Sequence, residues 1–333
     1  MGNADFGTRQ GPGAQVRALT PRRSGSPASS LQPLGAPTIG RSVTTPPTTP
    51  RPSSPLLNPH PGSEQRYDLT GTTLAMLPRA LVDLQRQLAV DEVVSLCLTP
   101  GPAAIGGQWS LLDVLEGAGF TAVSGKDAAA GPAAGGSRYA PRRPNMGAGE
   151  DGGQVEVWVR RARTLADRVG PNLKLLLCGL NPSLYAADRG VAFARPGNRF
   201  WPSVLGAGLA SRDRDPDHAW NQHRIGFTDL VKRASRAAAE IEVAEYRLGL
   251  ARVERMVAAL APEAVCLLGL SGFRAVIDRR ARAGPLAAGI GGRPAYLMPN
   301  PSGLNAHSQV PDLIAHLRAA ASLGTPSGQD RPY

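Results

Sequence analysis

The chain has 333 residues and a formal net charge of +11 at pH 7, because 37 Lys and Arg residues outnumber 26 Asp and Glu residues. This length allows one domain of roughly 150–200 residues with other material, or two domains. The positive charge favours an anionic partner such as nucleic acid or an acidic membrane surface, although a compositional bias towards Arg and Ala would give the same excess.

The sequence also disfavours several kinds of site and location. Its three cysteines, Cys97, Cys178 and Cys266, lie far apart and outside any Cys-x-x-Cys pair. A disulfide framework and a cysteine-held zinc or iron–sulfur site are therefore disfavoured, and the thiols are predicted to be buried in a reducing compartment. Because the sequence shows neither an apolar run of about 18 residues nor a signal-peptide core, we expect a cytoplasmic protein, nucleoid-associated if bacterial.

The first 66 residues are dense in Pro, Gly, Ser and Thr. Such a segment cannot bury enough apolar surface to offset the entropy of ordering, so residues 1–66 are predicted to be a disordered tail. Seven arginines against one Asp and one Glu would let this tail contact phosphates without reading sequence, but a solvated linker fits equally well. Residues 326–333 are also predicted to be disordered.

The sequence of residues 67–168 predicts a small α/β segment of unknown role. Strands are predicted over 91–99 and 154–162 and a helix over 108–120, with a Gly/Ala-rich insert at 125–153. The pattern resembles the end of a methyltransferase-type sheet. The segment shows no Gly-rich cofactor loop, which disfavours a methyl-transfer activity.

Residues 169–325 show the clearest alternation of strand and helix. The apolar run at 172–180, between Pro171 and an Asn-Pro pair, is typical of a central parallel strand buried on both faces. Further strands are predicted at 263–270 and 294–299. One helix is predicted to start at Asn198, which would be its N-cap. A second is indicated by the helical spacing of Leu250, Val253, Val257 and Leu260, and two more are predicted within 271–283 and at 311–323. We therefore predict a three-layer α/β/α fold with a central, mostly parallel sheet.

Two segments that begin Asn-Pro-Ser leave the ends of predicted strands. They start at Asn181 and Asn300, where the carboxyl ends of parallel strands place ligand-binding groups. Asn-Pro is also a common turn former, so either segment alone is compatible with a purely structural turn.

Together the two segments carry a resemblance to a known family. The matching residues are Asn181-Pro182, Gly190, Phe193-Ala194, "GNRFW" at 197–201, "GFTDLVKR" at 226–233 and "PSGLN" at 301–305. In order and spacing they closely resemble the mismatch-specific uracil/thymine DNA glycosylases of the uracil-DNA glycosylase superfamily. The resemblance covers about residues 172–323.

The resemblance implies a monofunctional glycosylase that hydrolyses the bond between uracil and deoxyribose in duplex DNA. Asn181 matches the catalytic asparagine that holds the attacking water. An amide is not a strong base, so the implied mechanism is dissociative and depends on positioning and electrostatics, with no metal or other cofactor. Asp188 is a possible base, but a surface carboxylate is the favoured interpretation.

The implied base pocket comprises Leu180, Ser183, Tyr185, Ala186 and Phe193. Phe193 matches the aromatic that stacks on the flipped base, although a core Phe below the loop is the alternative. Backbone amides near Leu180, Ser183 and Phe193 are expected to bind the pyrimidine carbonyls. Tyr185 and Ala186 lie where family members differ, and Ala186 would leave space beside the C5 edge of the base. Residues 198–201 are interpreted as mainly structural.

The second segment resembles the loop that such enzymes insert into DNA. Extruding a paired base costs a few kcal/mol, least at a mismatch. Leu304 would enter the vacated stack, Gly303 would permit close approach, and Asn305 would bind the partner base. Ala306 departs from the arginine of related loops, and His307 is interpreted as a DNA contact rather than a catalytic acid. The predicted loop residues are Asn300, Ser302, Gly303, Leu304, Asn305 and His307.

Lys232 and Arg233 are predicted to contact phosphates near a helix start, with a solvated basic turn as the alternative. The sequence thus predicts a monomeric enzyme that excises uracil, or another modified pyrimidine, from G mismatches in double-stranded DNA and initiates base excision repair. The alternative is a non-catalytic DNA-binding module whose glycosylase-like pocket has decayed.

Overall fold

A computed structural model describes residues 65–99, 109–123, 147–148, 154–303, 305 and 308–324. The predicted disordered tail lies outside these residues except for Gln65 and Arg66, and Arg66 already belongs to the first strand. The predicted disordered residues 326–333 lie outside them, as does most of the Gly/Ala-rich insert at 125–153. Among the residues described, no helix has the length and apolar character required to cross a membrane.

The first sheet is built by the residues before 162. Its strands are β1 (Arg66–Asp68), β2 (Val93–Leu98), β3 (Phe120–Val123), β4 (Gly147–Ala148) and β5 (Val155–Arg161). The strand order is β1-β2-β5-β3, with β4 paired to one end of β5. Only β1 and β2 run parallel. Two helices accompany this sheet, α1 (Leu77–Gln87) and α2 (Leu111–Gly117), and the Ser110 hydroxyl caps α2 by accepting from the Asp113 N–H.

The second sheet contains five strands in the order β7-β6-β8-β10-β9. They are β6 (Leu175–Gly179), β7 (Ile225–Asp229), β8 (Ala264–Leu268), β9 (Gly284–Ile290) and β10 (Arg293–Met298). The first four in this order are parallel, and β9 is an antiparallel edge strand. The connecting helices are α3 (Leu184–Arg189), α4 (Phe200–Gly206), α5 (Pro216–His223), α6 (Val243–Leu260), α7 (Leu270–Val276) and α8 (Val310–Ser322).

Both faces of the second sheet are buried, as the continuous apolar runs predict. Leu175 and Leu177 point into one core with residues of α4 and α8, whereas Leu176 and Cys178 point into the other core with residues of α6. The second core continues into the first sheet. This arrangement confirms the predicted α/β class and the α/β/α layering around a mostly parallel sheet. The three cysteines are free and buried, as predicted.

Several local predictions differ from the structure. The segment at 226–233 contributes to β7 and a turn, not to the start of a helix, because α6 begins only at Val243. The segment after Asn181 is not wholly a loop, since α3 forms within it. Asn198 lies one residue before the N-cap of α4, and its Oδ1 accepts from the Phe200 N–H at 2.9 Å.

Polar contacts join the two sheets across the shared core. Arg255 of α6 binds Asp113 of α2 through two hydrogen bonds, of 2.6 and 2.9 Å. The Asp167 N–H donates to the Gly117 carbonyl at 2.8 Å. These contacts connect the first sheet and its helix α2 to the second sheet, and Asp167 lies beside the carboxyl end of β7.

Candidate functional site

The candidate site lies at the carboxyl edge of the second sheet. Gly179 ends β6, Asp229 ends the neighbouring β7, and Met298 ends β10. Parallel strands bring the segments that follow them to the same edge. The segments beginning at Asn181 and Asn300 are therefore both on this edge, as the sequence predicts.

Asn181 is held by its amide nitrogen. Its Nδ2 lies 3.1 Å from the carbonyl oxygens of Pro182 and Arg233 and 2.8 Å from Ser235 Oγ. Because carbonyl oxygens only accept hydrogen bonds, the amide must turn its nitrogen towards them. No hydrogen bond from a described residue reaches Oδ1, which leaves this oxygen able to accept one from a bound molecule.

Ser235 fixes the acceptors around Asn181, and the sequence alone did not indicate its role. The Ser235 N–H donates to the Pro182 carbonyl at 3.1 Å, and the Leu184 N–H donates to the Ser235 carbonyl at 3.2 Å. The Ser235 hydroxyl donates to the Ala237 carbonyl at 2.7 Å, so its oxygen remains an acceptor for Asn181. No local sequence pattern points to Ser235, because its contact with Asn181 depends on β7 lying next to β6.

Phe193 has a backbone conformation that a bulky residue rarely adopts. Its φ is +55°, a left-handed value that persists only where the surroundings enforce it and that is often found at functional sites. One face of its ring stacks on Phe200, with centroids 4.0 Å apart. A β-carbon added to Gly179 would lie 3.4 Å from Phe193 Cζ, so the ring reaches the end of β6, two residues before Asn181.

A buried carboxylate lies beside Phe193. A β-carbon on Gly179 would also collide with Asp229 Oδ1, so a larger residue there would displace this carboxylate. Asp229 and Phe193 line a cavity of about 10 Å³, room for about one water molecule. Burial raises the pKa of Asp229 to about 6, and the nearby Lys232 ammonium opposes this rise.

Lys232 belongs to a buried ionic network. Its Nζ lies 2.6 Å from Asp167 Oδ1, and Arg252 Nη1 lies 2.9 Å from Asp167 Oδ2. Thr228 Oγ1 donates to the same carboxylate at 2.8 Å. Burial alone would raise the pKa of Asp167, but the two cations hold it below its usual value. This network fixes the end of β7 and the turn that supplies the Arg233 carbonyl to Asn181.

The two predicted phosphate contacts are both engaged within the protein. Lys232 is only 4% exposed, so its position does not support a contact with DNA phosphate. The Arg233 guanidinium makes two hydrogen bonds of 2.8 Å to Glu245 and one of 2.8 Å to the Glu240 carbonyl. A phosphate at Arg233 would have to compete with these partners.

The remaining predicted pocket residues have different surroundings. Leu180 is buried against Gly269 and Gly272. Ser183 caps α3, its Oγ accepting from the Ala186 N–H at 3.2 Å. Ala186 is buried, whereas its neighbour Tyr185 is exposed, with the Arg189 guanidinium 5.4 Å from the Tyr185 ring centroid.

Asp188 pairs with Arg163 through hydrogen bonds of 2.6 and 2.7 Å at an exposed position. The hydrogen bond from Arg163 lowers the pKa of Asp188, which makes the carboxylate a weaker base. This surrounding favours the interpretation of Asp188 as a surface carboxylate.

The segment after β10 is shaped by its own turn and by Arg199. Asn300 Oδ1 accepts from the Ser302 N–H at 2.9 Å, and Asn305 Nδ2 donates to the Asn300 carbonyl at 2.9 Å. The Arg199 guanidinium donates to the carbonyls of Asn305 at 2.7 Å, of Gly303 at 3.3 Å and of Ser308. Leu304, Ala306 and His307 lie outside the described residues.

Gly303 has a packing reason to be a glycine. A β-carbon there would lie 2.7 Å from the Gly197 carbonyl oxygen, closer than real β-carbons approach. The loop therefore lies directly against the backbone that precedes α4, and the Arg199 N–H donates to the Pro301 carbonyl at 3.0 Å. These contacts support the interpretation of residues 198–201 as mainly structural.

A comparison with protein families gives a match over the second sheet and its helices. Residues 166–320 match the family model of the uracil DNA glycosylase superfamily. This match covers 155 of the 333 residues and supports a domain of the uracil DNA glycosylase superfamily in this part of the chain, and with it a DNA glycosylase activity in general.

Proposed function

We propose that the protein is a monofunctional DNA glycosylase that flips uracil out of G mismatches in duplex DNA and hydrolyses its N-glycosidic bond, without a metal or redox cofactor. It acts as a monomer and initiates base excision repair. The observation that carries this proposal is the orientation of Asn181. Three acceptors hold its amide nitrogen, and its oxygen is left to bind water.

The role of Asn181 in this reaction is to hold the attacking water in position. As the bond between the base and C1′ breaks, the bonding electrons leave with the base and the sugar becomes cation-like. Water held by Asn181 Oδ1 then forms a bond to C1′, and its proton passes to solvent or to the departing base. Holding the water in place removes the entropic cost of bringing it to the reaction, which is where such a site obtains its rate.

The surrounding residues suit a flipped base. The half-buried ring of Phe193, supported from behind by Phe200, supplies a stacking surface that every base can use, at roughly 1–3 kcal/mol per base. The loop at 300–308 inserts into the duplex, with Leu304 in the vacated stack and Asn305 and His307 on the DNA. Thymine and other modified pyrimidines are further candidate substrates, with Tyr185 and Ala186 at the C5 edge.

The experiment uses end-labelled duplexes that each contain one U·G, T·G, U·A or ethenocytosine·G pair. The protein is incubated with each in EDTA, and alkali then cleaves any abasic site. We expect strand scission with U·G and less with U·A, because a mismatched base costs less to extrude. Salt-dependent DNA binding without any abasic product would contradict the proposal and favour a binding module with a decayed pocket.

A further inference from the structure

The turn between α7 and β9 has an ordered backbone built around a buried alanine. Ala281 is 9% exposed and belongs to the core. Its N–H donates to the Asp278 carbonyl at 3.0 Å, and its carbonyl accepts from Arg274 Nε at 2.8 Å. Asp278 Oδ1 accepts from the Arg280 N–H at 2.8 Å. These bonds fix the positions from which the neighbouring side chains leave the backbone.

The side chains that this turn presents are cationic. Arg279, Arg280 and Arg282 are all exposed, and none of them forms a salt bridge with a carboxylate in the described part of the chain. The carboxylate of Asp278, which starts the turn, binds backbone. Three arginines within four residues, facing solvent from a fixed turn, form a concentrated positive surface that we name the arginine turn.

The arginine turn lies at the same edge of the sheet as the candidate site. Strand β9 is antiparallel to β10, and Gly284 at its start pairs with Leu297 near the end of β10. Arg282 stands two residues before this pair, and Asn300 stands three residues after it. At about 3.3 Å per residue, Arg282 and Asn300 each lie within on the order of 10 Å of this residue pair, beyond the carboxyl end of β10.

Asp278 lies within the turn and reduces its net charge from +3 to +2, whereas the other acidic groups near this edge are paired or buried. Asp188 is paired with Arg163 at 2.6 Å, and Asp229 is buried. Guanidinium groups bind phosphate through two parallel hydrogen bonds, and a preformed turn loses little entropy when it binds. The predicted phosphate contacts at Lys232 and Arg233 are engaged internally, so the phosphate-binding role requires other cations.

We propose that Arg279, Arg280 and Arg282 bind the phosphate backbone of the DNA duplex beside the base that enters the site. This inference rests on the proposed function, because it takes duplex DNA as the ligand. The arginine turn then holds the strand next to the insertion loop, and the site acts on a backbone already fixed on one side.

The test measures how binding of a U·G duplex to the full chain depends on salt. Each phosphate contact contributes about 0.9 to the slope of log K against log salt. Arg279→Gln, Arg280→Gln and Arg282→Gln should each lower the slope by about 0.9, and the triple variant by about 2.7. Changing the same three residues to Lys should restore most of the slope, because the charge returns.

Arg318→Gln is the matched control. Arg318 is an exposed arginine in the second half of α8, where it donates to the Gly206 carbonyl. It should leave the slope unchanged. An unchanged slope in the triple Gln variant would overturn the inference. Absence of excision by the unmodified protein would instead overturn the proposed function, so the two failures are distinguishable. Melting curves for each variant confirm that the fold is retained.

Discussion

The two Asn-Pro-Ser segments share a tripeptide and a position at the end of a parallel strand, but their asparagines are used in opposite ways. Asn181 is bound through its amide nitrogen, which has three acceptors. Asn300 is bound through its amide oxygen, which accepts from the Ser302 N–H at 2.9 Å. The amide oxygen of Asn181 receives no hydrogen bond from a described residue and can accept one from a ligand, whereas the amide oxygen of Asn300 stabilises the shape of its own loop.

The difference arises from the neighbouring strands. Strand β6 lies beside β7, whose following turn brings the Arg233 carbonyl and the Ser235 hydroxyl to Asn181. Strand β10 has β8 and the edge strand β9 as neighbours, and its loop folds back on itself under Arg199. The motif alone therefore does not assign the role of the asparagine; the adjacent turn does.

The largest expected effect separates the two asparagines directly. Asn181→Ala should keep duplex binding but lose on the order of 10²–10³ in single-turnover excision, the scale for removing one positioned polar group. Asn300→Ala removes a hydrogen bond that shapes the loop, a net change of about 0.5–1.5 kcal/mol, so its excision rate should fall by no more than about 13-fold. Equal losses in the two variants would contradict the distinction.

A smaller effect should appear in the pH dependence of stability, because the first segment lies near a buried carboxyl. The pKa of Asp229 is raised to about 6 from 3.8, so the folded protein binds this proton more tightly than the unfolded chain. The stabilisation is present below pH 3.8 and is lost as the pH rises through about 6. Asp167 has a pKa lowered from 3.8. Its contribution to stability is therefore present above pH 3.8 and is lost as the pH falls through its lower folded-state pKa.

The measurement is urea unfolding of the wild type and of Asp229→Asn between pH 4 and 7. The unfolding free energy of the wild type, relative to the variant, should fall by roughly 2–3 kcal/mol as the pH rises across this range. Asn has the shape of the protonated carboxyl and does not titrate. A difference that stays constant with pH would show that Asp229 titrates normally.

The smallest effect tests the acceptors around Asn181. Ser235→Ala removes one of three, at a net cost of about 0.5–1.5 kcal/mol, and should slow single-turnover excision by roughly 2- to 13-fold. Ser95→Ala is the control. It removes a buried hydroxyl of β2 that has no hydrogen-bond partner among the described residues, and the excision rate should not change. A Ser235→Ala rate equal to the wild type would mean that the other two acceptors suffice.

The sequence predicted the parts of the fold that carry a strong periodic signal. Strands β6, β8 and β10 are apolar runs, and α6 repeats Leu250, Val253, Val257 and Leu260 at helical spacing. It missed β7 and β9. Strand β7 is five residues that include Gly226 and Asp229, and β9 combines Gly, Pro and Ala at an edge, where the propensity for a strand is low.

The site could be predicted only in part for a related reason. The position of Asn181 follows from the end of one strand, which a single segment can show. Its partner Ser235 is 54 residues away, and their contact depends on β7 lying next to β6, an order that no local pattern reports. The contact of Asp167 is likewise distant in sequence, because its N–H donates to the carbonyl of Gly117 at the end of α2.

Arg199 has a mechanical consequence. Its guanidinium ties the carbonyls of Gly303, Asn305 and Ser308 to the first turn of α4, and the next residue, Phe200, is the ring on which Phe193 rests. Under the proposed function, this one side chain links the loop that would enter the duplex to the aromatic ring that would receive the base. We therefore expect that displacement of the loop by DNA also shifts the ring on which the base would stack, so that base-pair opening and pocket closure are coupled.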